Sequence, residues 1–180
     1  MAEVPRNFDD IQDDIIYAKN EIKRRLCQDA DLIKYLHNSE LERVHADPDD
    51  YYNVNIFPYI RIPGTQDKVQ NYICFSVDDI EDSRFTDYNN NVMKTQQVQF
   101  VIFCHEDDMS TDVGIERHDV LGYIIRDIFN WSNLIGLQLK LTVNKESVTD
   151  THFSTRTLVF KSSKPNSLDN GIPRSRFERK

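Results

Sequence analysis

Residues 111–131 read TDVGIERHDVLGYIIRDIFNW, and the placement of this stretch decides the fold. At ~100° per residue, the helical period, Val113, Val120, Leu121, Ile124, Ile128 and Trp131 share one arc, and Ile115, Ile125 and Phe129 widen it. Glu116, Asp119, Tyr123, Arg126, Asp127 and Asn130 form the polar remainder. The spacing predicts a long amphipathic helix in mid-chain. The run Glu116-Arg117-His118-Asp119 near its start invites a catalytic reading, but neighbours on a helix point about 100° apart. Glu116 and Asp119 are expected toward solvent, Arg117 amid the apolar arc, and His118 beside Ile125 and Phe129. Groups that serve one reacting atom must converge within hydrogen-bond reach, so the quartet is expected to diverge. Arg117 then needs a carboxylate or a helix C-terminus, because an unpaired buried charge is costly, or it overhangs the sheet to reach a neighbouring chain. The arc is also wider than one sheet face requires, so a second helix or another subunit is expected to cover the excess.

Working outward, Phe8–Gln28 sets Ile11, Ile15, Ala18, Ile22 and Leu26 at spacings of three and four, a second amphipathic helix. A short helix, Asp31–Leu36, follows, and then a polar linker, HNSELERVHADPDDYYN. The stretch NIFPYIRIP contains Pro58 and Pro63, which confine it to an edge strand or an extended arm. QNYICFSV alternates as a strand. Residues 78–91, DDIEDSRFTDYNNN, read as an acidic loop, or as two strand ends with a mobile tip. TQQVQFVIFCH is the strongest strand: Val98, Phe100, Ile102 and Cys104 face one way, and Val101 and Phe103 make the other face partly apolar too. Beyond the central helix, LQLKLTV turns Leu137, Leu139, Leu141 and Val143 inward, and DTHFSTRTLVFK closes the sheet. Strands that follow one another without a helix between them pair antiparallel. The fold class is therefore α+β: a mostly antiparallel sheet of four or five strands, packed by an N-terminal and a central helix. One domain is expected over 1–161, with a mobile loop at 78–91 and an extended basic arm at 162–180.

The chain of 180 residues carries a formal charge of −8, so its surface as a whole repels nucleic acid and anionic membranes. Residues 161–180 run against that trend, with six basic and two acidic side chains. Such an arm is expected to lie on an acidic surface, that of a neighbouring copy or another protein. No apolar run approaches the roughly 20 residues of a membrane-spanning helix, and MAEVPRNFDD lacks the apolar core of a secretory signal. Cys27, Cys74 and Cys104 are far apart and odd in number, so buried free thiols are expected, in keeping with synthesis in a reducing bacterial cytoplasm.

Catalytic signatures are sparse. The scattered glycines make no phosphate-binding loop, and no zinc or nucleophile-elbow spacing occurs. His105, Glu106, Asp107 and Asp108, with Asp112 behind them, resemble a magnesium-type set, but a solvated strand-to-helix loop explains them as well. Asp127, Gln138 and Lys140 could form a degenerate nuclease-like set; Lys140 alternates with inward leucines, which makes it an ordinary exposed strand lysine. Arg156, in STRTLVF, is either an outward strand residue or a charge that lines a pore or pairs across subunits. The expectation is a non-enzyme with no catalytic residue, cofactor or metal.

Two stretches, TDYNNNVMKTQQVQFVIFCHEDD and GIERHDVLGYIIRDIFNWSN, look like phage structural proteins of neck-gene neighbourhoods, and the element order over Phe8–Lys161 resembles the tail-terminator and tail-completion proteins of tailed bacteriophages. The resemblance implies a virion protein of the tail neck that forms a ring, usually hexameric, on the head-proximal end of the tail. Its implied partners are further copies of itself, the tail tube protein, the head–tail connector or head-completion protein and possibly the sheath, while DNA passes through without specific binding. Contacts are then expected from the acidic segment (Asp79, Glu81, Asp82, Arg84, Asp87), from Arg117 and Arg156, and from the arm (Lys164, Arg174, Arg176, Phe177, Arg179). The alternatives are a metal-dependent phage nuclease, or another head-completion or baseplate adaptor protein.

Overall fold

A computed structural model describes residues 13–60, 69–86, 92–134, 138–148 and 152–165. The first helix, α1 (Asp14–Gln28), begins where the Asp13 carboxylate accepts from the backbone N–H groups of Ile15 and Ile16 at 2.8 and 3.0 Å. These are donors that a helix start otherwise leaves without partners. Ala18, Ile22 and Leu26 are fully buried along the expected stripe; the expected start at Phe8–Gln12 lies outside the described residues. Asp29 ends α1 and also caps α2 (Ala30–Leu36), accepting from the Leu32 N–H at 2.8 Å.

The stretch read as a polar linker is folded. It holds a one-turn helix, α3 (Ser39–Arg43), and a 3-10 turn at Pro48–Tyr51. Three buried asparagines tie it to the sheet. Asn38 donates to the Asn55 side chain at 2.7 Å, Asn55 to the Asn71 carbonyl at 2.8 Å, and Asn71 to the Leu36 carbonyl at 3.0 Å and the Asp108 carboxylate at 2.7 Å. Each amide finds partners, which makes its burial tolerable.

One sheet has the order β1-β2-β3-β5-β4. The strands are β1 (Ile56–Phe57), β2 (Tyr72–Thr86), β3 (Val92–His105), β4 (Lys140–Val148) and β5 (Phe153–Pro165). All pairs are antiparallel except β1 with β2, so the α+β class is as expected. Residues 78–91, read as a loop or as two strand ends with a mobile tip, are strand as far as Thr86, paired to β3 through Asp82 and again at Thr86. β5 likewise carries Ser162–Pro165 of the expected arm into the sheet, opposite Met93–Gln96.

The central helix, α4 (Arg117–Phe129), is shorter than the expected 111–131. Glu116 is its extended N-cap residue, and Asn130 is extended at the other end. Val113, Ile115 and Trp131, placed on the apolar arc by the wheel, are therefore off the helix and more than half exposed. Leu121, Ile125 and Phe129 are fully buried. Phe129 packs on Phe100 with ring centroids 4.8 Å apart, and Phe160 meets Phe100 edge-on at 5.8 Å. The helices cover the face bearing Val98, Phe100, Ile102 and Cys104; a smaller cluster of Phe57, Tyr72, Cys74, Val101, Phe103 and Phe153 fills the other. The partly apolar second face of β3 is thus accounted for.

Candidate functional site

Three of the quartet at the head of α4, Glu116, His118 and Asp119, do not diverge; Arg117 alone turns away. Because the helix begins at Arg117, Glu116 is set by extended backbone and not by the helical wheel. Its carboxylate, that of Asp119 one turn on, and that of Glu146 on β4 gather around the His118 ring. Glu116 Oε2 and Asp119 Oδ1 lie 3.6 and 3.7 Å from His118 Nε2, and the Glu146 carboxylate is in direct contact with it. One ligand atom from each of the four residues fits within 4.8 Å of the others, the only such group among the described residues. His118 is 1 % exposed, whereas the Glu116 and Glu146 side chains are 64 and 57 % exposed, so the group has a buried floor and an open mouth.

A β-bulge brings Glu146 there. Leu141 pairs with Phe160, but the next pair is Val143 with Val159, leaving Thr142 as the extra residue. A bulge shifts the pleat by one and turns every later side chain over. Val143, expected inward, is 38 % exposed, and Asn144 and Glu146 stand opposite Leu158 and Arg156 on the helix side. The Thr142 hydroxyl donates to the Val159 carbonyl at 3.0 Å and closes the bulge.

Arg156 completes the arrangement. Its Nε donates to Asn144 Oδ1 at 2.9 Å, and its guanidinium pairs with the Asp119 carboxylate. Partial burial lowers its pKa, although an arginine stays charged throughout the ordinary range. The side chain lies across Gly122 of α4: a Cβ there would stand 2.5 Å from Arg156 Cδ and 2.8 Å from Nε. Glycine is needed at 122 for this close approach. A cleft of about 600 Å³ opens beside these groups, lined by Asp119, Tyr123, Asn144 and Arg156 and by the exposed Val113 and Ile115.

The other expected site residues have separate duties. Arg117 is 5 % exposed and its bonds are internal: Nε to the Asp108 carbonyl at 2.6 Å, Nη1 to the Tyr35 carbonyl at 2.9 Å, and Nη2 to the Asp108 carboxylate at 2.8 Å and the Ser110 carbonyl at 3.1 Å. It has both the carboxylate and the helix end that its burial demanded, Tyr35 being in the last turn of α2. Asp108 also takes His37 Nδ1 at 2.9 Å. The set His105, Glu106, Asp107, Asp108 and Asp112 does not converge: Glu106 pairs with His152, Asp107 is exposed, and Asp112 takes Lys34 and Tyr35 at 2.8 and 3.1 Å. Asp127, Gln138 and Lys140 are exposed, with Lys140 over the Trp131 ring. Asp79 is half-buried and takes a bond from Gln96 at 3.0 Å. Glu81, Asp82 and Arg84 lie along β2 and Lys164 on β5; Asp87, Arg174, Arg176, Phe177 and Arg179 lie outside the described residues.

The YomW family model matches residues 29–162, most of the chain and all of the sheet up to the last residues of β5. The chain belongs to the YomW family. That family is named after a phage gene product, so the chain is phage-associated. No curated protein matches it. The YomW span takes in Glu116, His118, Asp119, Glu146 and Arg156 but excludes α1. Among the described residues no helix is long and apolar enough to cross a membrane.

Proposed function

We propose that this chain is a structural subunit of a phage virion, repeating around an axis as a ring in the tail neck, where it ends the tube and receives the head connector. The observation that carries the reading is that, among the described residues, both edges of the sheet lack a partner strand over most of their length. β4 is an edge strand of nine residues. At the far side β1 pairs with β2 only at Ile73 and Cys74, and no described strand pairs with the outer edge of β2 beyond them. An open edge offers a row of backbone donors and acceptors to another chain. Two different open edges on one subunit suit a heterologous contact, the kind that closes into a ring when the rotation permits.

Three further features support the same reading. The family is phage-associated. Exposed apolar side chains, Val113, Ile115 and Tyr123, stand beside the cleft that Asn144 of β4 also lines, so the β4 edge comes with a surface for a neighbour. The net charge of −8 suits a lumen through which DNA slides without sticking. The strand ends of residues 78–86 and the basic segment after Ser162 supply the contacts to tube and connector.

Native mass spectrometry of the purified chain, alone and with tail tubes, tests this. A closed ring is expected, or a monomer that becomes one on tube ends. Val148 on β4 is 83 % exposed, so Val148→Lys leaves the fold intact while placing a charge on the edge, and it should deplete the ring. A monomer that never associates with itself or with tubes would overturn the proposal.

A further inference from the structure

We infer that the cleft bounded by α2, α4 and β4 is the seat of residues 176–180 of the same chain, with Phe177 against Val113, Ile115 and Tyr123 and the basic side chains facing Asp31, Glu116 and Glu146. The docking does not depend on the ring, because both parties belong to one subunit.

The cleft calls for an occupant of mixed character. Val113, Ile115 and Tyr123 line it and are each more than half exposed, an apolar wall facing solvent. Its cations are already engaged: Arg156 bonds to Asn144 and pairs with Asp119, and Arg126 lies over the Tyr123 ring. Its acids are in surplus. Asp31 lines the cleft, and Glu116 and Glu146, beside Asp119, meet no lysine or arginine among the described residues, only the His118 ring. The fitting partner therefore brings an apolar side chain and cations together. Residues 176–180, RFERK, do so: one aromatic, with three basic side chains against one acidic. The stretch at the other end of the chain, 1–12, carries three acidic side chains against one basic, and the same rim repels it. Exposed ion pairs contribute little singly, so burial of Phe177 supplies most of the hold, and the charges decide which segment binds.

Chain length meets the distance. β5 passes the cleft at Arg156 and runs nine residues further to Pro165, about 30 Å at the rise of an antiparallel strand. The chain must then reverse, and residues 166–171, NSLDNG, are rich in the residue types that form turns. The fifteen residues of 166–180 span at most about 50 Å when extended. The return to Arg156 uses about 30 Å of that, and the remainder suffices for a tight turn and for Phe177 and the residues after it to lie in the cleft. The segment therefore reaches the cleft of its own subunit without help from a second copy.

The test uses the full chain. ¹⁵N-labelled and unlabelled protein are mixed in urea, refolded together and treated with a carbodiimide, which joins a lysine to a carboxylate in direct contact. Lys180 should be linked to Asp31, Glu116 or Glu146, each linked pair of peptides should carry a single isotope, and Phe177→Ser should abolish the link. Ile115→Ser and Tyr123→Ser, both at exposed positions, should keep the native circular dichroism and speed tryptic cleavage after Arg176 at least about tenfold each, since cleavage tracks the population of the released segment. The inference is overturned if no such link forms, if Phe177→Ser leaves it unchanged, if neither cleft variant alters the cleavage rate, or if linked pairs carry both isotopes, which assigns the segment to the cleft of a second copy. In the ring reading the docked segment is the one that reaches tube and connector, so those partners would draw it from the cleft. That consequence alone rests on the ring, which native mass spectrometry reads separately.

Discussion

Replacing Gly122 by alanine sets two effects of known sign against each other. Within α4 the change gains about 1 kcal/mol of helix propensity. The new methyl meets Arg156 Cδ at 2.5 Å and Nε at 2.8 Å, so the arginine must leave its position across the helix. It then gives up its bond to Asn144 and its pair with Asp119. Arg156 is 22 % and Asp119 36 % exposed, so solvent screening reduces these to about 2 kcal/mol together. The net expectation for Gly122→Ala is a loss of about 1 kcal/mol, a fall in Tm of about 2–4 °C for a chain of this size. With Arg156 already changed to alanine the clash is gone, and the same substitution should stabilise by about 1 kcal/mol. Urea denaturation of the four proteins in this cycle, read by circular dichroism, gives a coupling of about 2 kcal/mol. If Gly122→Ala stabilises both backgrounds equally, Arg156 does not lie over Gly122, and the placement of Arg156 against Asp119 and Asn144 fails with it.

Arg117→Met should destabilise by about 3 kcal/mol in the same assay, because the Asp108 carboxylate, 13 % exposed, loses its guanidinium and the Tyr35 and Ser110 carbonyls lose their donor; a cost below about 1 kcal/mol would show the arginine to be dispensable. Burial pushes the Cys27 thiol up to about 11 and the Cys104 thiol up as well, and Cys74 is 1 % exposed. Since the thiolate is the reactive form, no thiol should react with a disulfide reagent at pH 8 in the native protein and three should react in urea; immediate native reaction of any of them contradicts the packing described.

The larger elements were legible because their periods are strong. Ala18, Ile22 and Leu26 fall on one helical face, and the double-sided pattern of β3 reports a sheet with buried apolar side chains on both faces. The need of Arg117 for a carboxylate or a helix C-terminus followed from the cost of a buried charge alone. Less was legible at the site. Helical geometry was applied to Glu116, one residue before the helix starts, so its convergence with Asp119 was hidden. Glu146 is 28 residues from His118 in the chain, and it reaches the ring only through a bulge that the regular alternation of Leu139, Leu141 and Val143 conceals. The asparagine chain was missed for a related reason: Asn38 reads as linker and Asn55 and Asn71 open stretches read as strands, so nothing marks the three amides as partners until long-range folding brings them together.

That bulge also governs how the outermost strand is held against sliding. An unbroken ladder continuing from Leu141 and Phe160 would set Val143 over the core and bring Lys145 opposite Arg156, two cations face to face. The observed alignment gives up the apolar contact and sets Glu146 opposite Arg156 instead. That register also brings Asn144 to Arg156 and Glu146 to His118, so specific polar contacts, all lost on a slip of one residue, fix the outermost strand where apolar burial alone would choose the other alignment.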